Sequence, residues 1–376
     1  MTLIDIDFSL AMHNRTGRFF IGKDLIETPR LPLGDVYYWR LRSPPRGMLR
    51  WAIGRLQRHQ VTGRTLGGGL GWLPPRHSAR PLLHLDPYTV PTTVLRRRDI
   101  VLCHDVGPVT HPHLFAPDVG AIYRAIYRLV AETGPHMVFV SHASKHAFER
   151  LHPAARLASS RVIHPAIRTD LSARLARRPA GVETPFLLTV GSIGERKNQA
   201  RCIAAFASTG LAQRGLRYVV CGGREPGFER VAAAAAQTPG VVLLPYVADA
   251  ELAWLYANAS GFVLASQLEG FAMPLMEAAA HGLVPLVSAG SVLEDVAGDG
   301  ALVAGPEDGA NLAAGMVALV QMRPEEKAGR QRRLAAAAAR FDVARVRAAW
   351  LGAFAQWSGA AAAADATPPC AASGAR

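Results

Sequence analysis

The second half of the chain repeats one pattern five times: a short apolar run, a turn bearing Gly or Pro, and a helical stretch. The apolar runs are residues 186–190, 218–221, 241–244, 262–265 and 285–288. Runs this short, with no polar alternation, suit strands that are covered on both faces. The helical stretches between them supply the cover, so the pattern points to a parallel sheet wrapped on both sides. The turns after the first four runs read GSIGERKN, GGREPG, PYVADA and SQLEGF. In doubly wound sheets the ligand crevice lies at the carboxyl ends of the strands, which is where these turns fall.

The first half follows the same rhythm less cleanly. Strands are expected at residues 4–8, 35–39, 82–85, 100–103, 137–141 and 161–164, and helices at 19–26, 46–60, 122–132 and 145–151. Residues 14–18 read as a polar turn and 63–75 as a Gly- and Pro-rich loop. A chain of 376 residues exceeds one ordinary core, which gives two domains, 1–170 and 171–340. A helix is expected at 341–357, and the Ala/Gly/Ser/Pro tail 358–376 is expected to be disordered. No run of eighteen apolar residues exists, and the start lacks the charged and apolar regions of a signal peptide. Cys103, Cys202, Cys221 and Cys370 form no close pair, as expected of a reducing, cytoplasmic compartment without a zinc or disulfide framework.

The formal charge of +13 is concentrated in the first 170 residues, where 23 Lys and Arg face 12 Asp and Glu. Within residues 40–98 twelve Arg are opposed by Asp86 alone. Arg50, Arg55 and Arg58 interleave with Met48, Leu49, Trp51, Ile53 and Leu56, the pattern of a basic amphipathic helix. An anionic partner follows from such asymmetry, either an acidic membrane surface or a nucleic acid. A genome that favours Arg over Lys would produce part of the same bias.

The chemistry concentrates in residues 261–288. Glu269 lies in a loop and Glu277 eight positions on, within a short helix that Pro274 opens and Gly282 closes. The first-turn amides of that helix, with the positive end of its dipole, form an anion site between the two acids. Arg196 and Lys197 of GSIGERKN stand at the start of another helix, where two cations could neutralise a diphosphate without a metal. A ligand carrying phosphates and hydroxyls fits this set. Asp5-Ile6-Asp7 reads as strand, and His104, Asp105, His111 and His113 lack a convincing zinc pattern, so no metal is expected.

Taken together, GSIGERKN, CGG at 221–223, YVADAELAWLYANAS at 246–260 and LEGFAMPLMEAAAHGLVPLVS at 268–288 resemble the carboxyl-terminal domain of glycosyltransferase family 4. The first half is similar in order through RTGR, HLDPY, IVLCHDVGPVTHPHLF and VFVSHASK. The resemblance implies the α/β GT-B fold, two Rossmann-like doubly wound parallel-sheet domains facing across a cleft, with the helix at 341–357 crossing back to the first. It implies retaining, metal-independent transfer from a sugar nucleotide, with no cofactor. Arg196 and Lys197 would then bind the donor diphosphate beside Gly191 and Gly222, Glu277 the ribose, and Glu269 the sugar. Gly270 and Phe271 would present amides to phosphate and sugar, Val247 would hold the base, and Gly17 and His104 would line the sugar and acceptor side. The acceptor would be a glycan or a polyprenyl-diphosphate-linked glycan, in cell-surface polysaccharide synthesis at the inner face of the cytoplasmic membrane. GDP-mannose is the favoured donor, with UDP-sugars open. Two departures stand out: Ser192 replaces an Arg, and Ala272 replaces a Gly.

Two rival classes are weaker. A nicotinamide-dependent oxidoreductase needs Gly-x-Gly-x-x-Gly after the first strand of a half, and neither half has it. A nucleic-acid-binding protein would need more interleaved aromatics than Trp51 and Trp72.

Overall fold

The computed structural model describes residues 2–13, 17–168, 171 and 176–365, with only the backbone for 359–365. Parts of two expected features, the polar turn at 14–18 and the tail at 358–376, therefore lie outside the described residues. The chain forms two compact units. One comprises residues up to Val109, Gly120–Ile163 and the segment from Ala344 on; the other comprises Thr110–Val119 and His164–Val343. The main change of unit falls between Ile163 and His164, and the short segment Thr110–Val119 groups with the second unit.

In the first unit six parallel strands are β1 (Ile4–Asp7), β2 (Leu33–Tyr37), β3 (Leu82–His84), β4 (Ile100–Cys103), β5 (His136–Phe139) and β6 (Ser159–Val162). They are ordered β2-β1-β3-β4-β5-β6. The helices are α1 (Gly17–Glu27), α2 (Gly47–Leu66), the single turn α3 (Gly107–Thr110), α4 (Val119–Thr133) and α5 (His142–Leu151). β1, β3 and β4 are buried along their whole length, as strands covered on both faces must be. Helix α2 runs two turns past its expected end, so residues 63–66 are helical rather than loop. Glycine is required at position 63 because a side chain there would strike the Gly68 carbonyl and Gly71.

The second unit repeats the architecture with β7 (Phe186–Val190), β8 (Arg217–Cys221), β9 (Val241–Leu244), β10 (Gly261–Leu264), β11 (Pro285–Ser288) and β12 (Leu302–Ala304). Its helices are α6 (Gln199–Ser208), α7 (Phe228–Gln237), α8 (Asp249–Asn258), α9 (Met273–Ala280), α10 (Val292–Ala297), α11 (Gly309–Gln321) and α12 (Pro324–Ala338). The order is β12-β11-β10-β7-β8-β9, all parallel, so the sheet grows one way from β7 to β9 and the other way from β10 to β12. The reversal falls between β7 and β10. At such a switch point the two following loops part and leave a crevice.

The last helix, α13 (Val343–Asp365), belongs with the first unit. Arg347 pairs with Asp24 of α1 at 2.5 Å, and the Trp357 indole lies on His136 with ring centroids 5.7 Å apart. Trp350, Phe354 and Trp357 are all buried. α13 continues eight residues past position 357, so the expectation of a disordered tail from 358 is corrected for 358–365. The reason is composition: SGAAAAAD is poor in packing residues but rich in the strongest helix former.

His84, the last residue of β3, is fully buried and hydrogen-bonded to the hydroxyls of Thr89 (2.9 Å) and Thr93 (3.3 Å). Burial, aided by Arg76, pulls its imidazole down to about 3. The unfolded chain therefore takes up a proton below about pH 6.5 that the folded chain refuses, and stability is lost as pH falls through that window. On going from about pH 6.5 to pH 5, wild type should lose roughly 2 kcal/mol relative to His84→Asn. Urea unfolding of both proteins at the two pH values measures it.

Candidate functional site

The loops after β9, β8, β7 and β10 follow one another along the edge of the second sheet, in that spatial order. They contain, respectively, Val247; Gly222 and Glu225; Gly191, Arg196 and Lys197; and Glu269, Gly270 and Phe271. Parallel pairing alone thus puts residues far apart in sequence on one rim.

The two central loops are in close contact. Ile193 N–H donates to the Gly223 carbonyl (2.6 Å), Glu225 N–H to that of Ile193 (2.9 Å), and Glu195 N–H to that of Pro226 (2.9 Å). Gly222, at φ +150, has its Cα so near the Gly191 carbonyl that a Cβ would sit 2.0 Å from that oxygen. Only glycine can occupy the position without moving the β7 loop. Gln199, at the start of α6, accepts from Gly194 N–H (3.0 Å) and donates to the Ser192 carbonyl (2.9 Å), fixing the loop's curl. Asn198 adopts a left-handed conformation (φ 59) and donates to the Ala265 and Pro306 carbonyls. That turn delivers Arg196 and Lys197 toward the β10 loop.

There they meet acids. The Lys197 ammonium contacts Glu269 Oε1, which also accepts from the Ser266 hydroxyl at 2.8 Å. Arg196 Nη1 lies 3.1 Å from the Leu268 carbonyl and 3.4 Å from Glu269 Oε2. Its Nη2 lies 3.2 Å from each carboxylate oxygen of Glu225. Glu269 and Lys197 are buried, whereas the Glu225 side chain keeps 29% of its surface exposed. Burial pushes the Glu269 carboxyl up, but Lys197 and Arg196 outweigh it and hold the group below the usual carboxylate range. Glu269 is therefore an ionised, fully engaged acid.

Glu277 is buried on α9 and accepts from the Tyr256 hydroxyl of α8 at 2.8 Å. The Tyr256 ring stacks on His281, with centroids 5.2 Å apart. Gly270 and Phe271 lead into α9, and the Phe271 ring packs against His164 and Phe341 at 5.6 and 5.0 Å. Its side chain thus belongs to an aromatic core. Ala272 caps α9 at φ 73, a left-handed position for a residue with a Cβ. Val247 is partly buried in the loop after β9, beside the exposed Tyr246.

The remaining sequence-derived positions lie in the first unit. Gly17 begins α1, next to Arg18, whose Nη1 reaches Asp86 of HLDPY at 2.5 Å. Asp86 also accepts from the Tyr123 hydroxyl (3.2 Å) and from Tyr88 N–H (2.9 Å). His104 follows β4, is buried, and has Nε2 2.8 Å from the Leu85 carbonyl. A carbonyl only accepts, so Nε2 carries the proton. Burial, with Arg18 in support and Asp86 opposing, lowers the His104 imidazole below its usual value. Sequence reasoning missed Glu225, Gln199, Tyr256 and the Arg18–Asp86 pair. GGREPG and YVADAELAWLYANAS contained the first and third, but nothing in their spacing singles out those side chains.

Helix α2 carries a different kind of surface. Met48, Leu49, Trp51 and Leu56 are exposed, Met48 by 90%, and Trp72 just beyond by 76%. Arg50, Arg55 and Arg58 are exposed among them, and Arg55 lies over the Trp51 ring at 5.5 Å. The buried face holds Ile53 and Val61 together with Gln57, bonded to His13 at 3.0 Å, and Gln60, bonded to the Trp39 indole at 2.7 Å. Among the described residues no helix is long and apolar enough to cross a membrane.

These two parallel sheets and their helices define an α/β protein of GT-B fold. Trehalose-phosphate synthases share it. One from Burkholderia xenovorans, solved in complex with glucose-6-phosphate, superposes with a TM-score of 0.64 at 13% identity over 94% of this chain and 100% of that one. One from Burkholderia multivorans gives 0.60 at 14% identity over 87% and 79%. The Escherichia coli protein bound with UDP-2-fluoro glucose gives 0.59 at 12% over 83% and 79%. In sequence, residues 175–339 match the family model of glycosyl transferases group 1. The O-antigen chain mannosyltransferase B of Escherichia coli is 31% identical over 128 residues, so the match spans a third of this chain and a third of that relative.

Ala272 allows a direct test of the loop that carries Glu269. A left-handed alanine costs about 1–2 kcal/mol, partly offset by the greater freedom of glycine in the unfolded chain. Ala272→Gly should therefore stabilise the fold by about 1 kcal/mol, read as a raised urea midpoint with unchanged slope.

Proposed function

We propose that this protein is a retaining, metal-independent glycosyltransferase of family 4 that takes its sugar from a sugar nucleotide bound at the second sheet. The reading is carried by one observation: Arg196, Lys197 and Glu269 converge at the switch point between β7 and β10, with Glu277 on the helix that follows. The glycosyl transferases group 1 match over residues 175–339 covers all four. In this reading Arg196, Lys197 and the amides at Gly270 and Phe271 take the diphosphate, Glu277 the ribose, Val247 the base and Glu269 the sugar. Gly191 and Gly222 let the phosphates approach the backbone, while Gly17 and His104 lie on the acceptor side.

The engaged state of Glu269 bears on the mechanism. Retention through a covalent intermediate needs a carboxylate free to attack the anomeric carbon. Here both oxygens of Glu269 are held by cations, and Oε1 also by Ser266, which blunts the group as a nucleophile. Same-face transfer fits better. The bond from the anomeric carbon to the leaving phosphate oxygen breaks, the acceptor oxygen bonds to that carbon on the same face, and the acceptor proton passes to the departing phosphate. The protein's part is position and charge stabilisation.

For the donor we favour GDP-mannose, supported by the mannosyltransferase likeness; the structural neighbours' UDP-forming chemistry makes UDP-glucose the second choice. Incubation with each sugar nucleotide shows which nucleoside diphosphate appears. Glu277→Ala should weaken nucleotide binding about tenfold or more. Glu269→Gln should lower kcat on the order of a hundredfold with a smaller change in KM. Full activity in both variants would falsify the site assignment.

The acceptor in this reading is a glycan on a polyprenyl diphosphate, used in cell-surface polysaccharide synthesis, and α2 brings the enzyme to an anionic membrane surface. Exposed Trp51, Met48 and Leu49 among arginines suit an acidic interface, each cation adding roughly 1 kcal/mol. In flotation assays the protein should rise with phosphatidylglycerol vesicles at low salt, less at high salt, and little with phosphatidylcholine. Trp51→Glu should abolish most of the binding; indifference to lipid charge and salt counts against this surface.

A further inference from the structure

The charges at the site balance within the protein. Two cations, Arg196 and Lys197, face two carboxylates, Glu269 and Glu225. The acids are not equivalent. Glu269 is 5% exposed and answers both cations as well as Ser266, so removing it would strand a buried ammonium. Glu225 has both oxygens 3.2 Å from Arg196 Nη2, and its side chain is 29% exposed. Its backbone is fixed, since Glu225 N–H donates to Ile193 and the next carbonyl accepts from Glu195. Its side chain, unlike that of Glu269, is exposed enough to turn into solvent.

We propose that Glu225 is a displaceable counter-anion: it pairs with Arg196 Nη2 until the donor diphosphate takes that nitrogen over. This inference rests on the donor-site reading above and adds to it a residue that regulates affinity at that site. A diphosphate and a carboxylate compete for the same donor group on Arg196, so the apparent affinity is the difference between the two pairings. The exchange keeps Arg196 in place when the site is empty. It also lets Glu225 return to Nη2 as the nucleoside diphosphate departs, which favours product release.

The test is a comparison of GDP and UDP binding by isothermal titration calorimetry to wild type, Glu225→Gln, Glu225→Ala and Glu195→Gln. Glu195 is the charge control: it lies in the same pair of loops but pairs with Arg230 at 3.0 Å, not with Arg196. Both Glu225 variants should bind the preferred nucleotide about fivefold more tightly. Glu195→Gln should bind as wild type does. In turnover, Glu225→Gln should show stronger inhibition by its nucleoside diphosphate and a lower kcat, with KM for the donor also reduced. A merely structural role predicts weaker binding in the Glu225 variants, and that result overturns the proposal. Equal tightening by Glu195→Gln assigns the effect to overall charge and also overturns it. If wild type and Glu225 variants bind alike, the role of Glu225 fails while the donor site stands. If neither nucleotide binds wild type, the donor-site reading and this inference fail together.

Discussion

The contact between Lys197 and Glu269 is the interaction on which the site depends. An ammonium out of water needs a counter-charge, and the cost of leaving one unpaired is several kcal/mol. Lys197 comes from the loop after β7 and Glu269 from the loop after β10, the two strands between which the sheet reverses. The pair therefore spans the crevice that the topology opens. Its neighbours follow from it. Gly191, at φ +149, supplies beside the lysine stem a backbone conformation that L side chains rarely adopt. Asn198 accepts a left-handed turn and ties it to the Ala265 carbonyl on the far loop. Ser266 supplies the hydrogen bond that the carboxylate still needs.

The same rule, that a buried charge brings its partner with it, organises the first unit. Arg18 opens α1 and Asp86 caps the turn after β3, yet they meet at 2.5 Å with the Tyr123 hydroxyl on the second oxygen. Burial pushes the Asp86 carboxyl up, and Arg18 overcomes this to hold it below its usual range. Near this pair His104 remains neutral, because burial and Arg18 both disfavour a second positive charge. The two units thus set out different chemistry on equivalent strand ends: a pair of cations with exchangeable partners on one sheet, a neutral imidazole beside a closed ion pair on the other.

Much of the fold was legible because parallel strands in a doubly wound sheet are short, apolar and separated by helices. All five strands read in the second half are present, within a residue or two of their expected ends. β12 was missed; at three residues, with Val303 exposed, it is too short and too mixed to register. Site positions were legible where a backbone requirement leaves its mark, as with Pro274 in the first turn of α9 and Gly282 at φ 76 beyond its end. Glu225 left no such mark. Its role depends on which loops the sheet order makes adjacent, and β8 follows β7 in sequence without revealing which carboxylate faces Arg196. The tail was misjudged for a related reason: a run of alanines lacks packing residues whether it is helical or not.

Helix α2 shows where composition and placement part company. Its residues describe an amphipathic helix, and the ordinary expectation is that the apolar side turns inward. The structure turns Gln57 and Gln60 inward beside Ile53 and Val61, and leaves Met48, Leu49, Trp51 and Leu56 outside. The buried glutamine oxygens and the Gln60 amide find partners: His13 for Gln57 Oε1, and the Trp39 indole with the Leu73 carbonyl for Gln60. Folding energy does not explain the outer face, since an exposed tryptophan and leucines contribute nothing to the core they avoid. A cluster of large apolar side chains kept in water among arginines is the signature of a surface shaped for something outside the chain. The arginines further along the segment make the contrast sharper. Arg96, Arg97 and Arg98 hold backbone carbonyls at 2.7–2.8 Å, so their charge serves the fold, whereas the cations of α2 stand beside the exposed aromatic face.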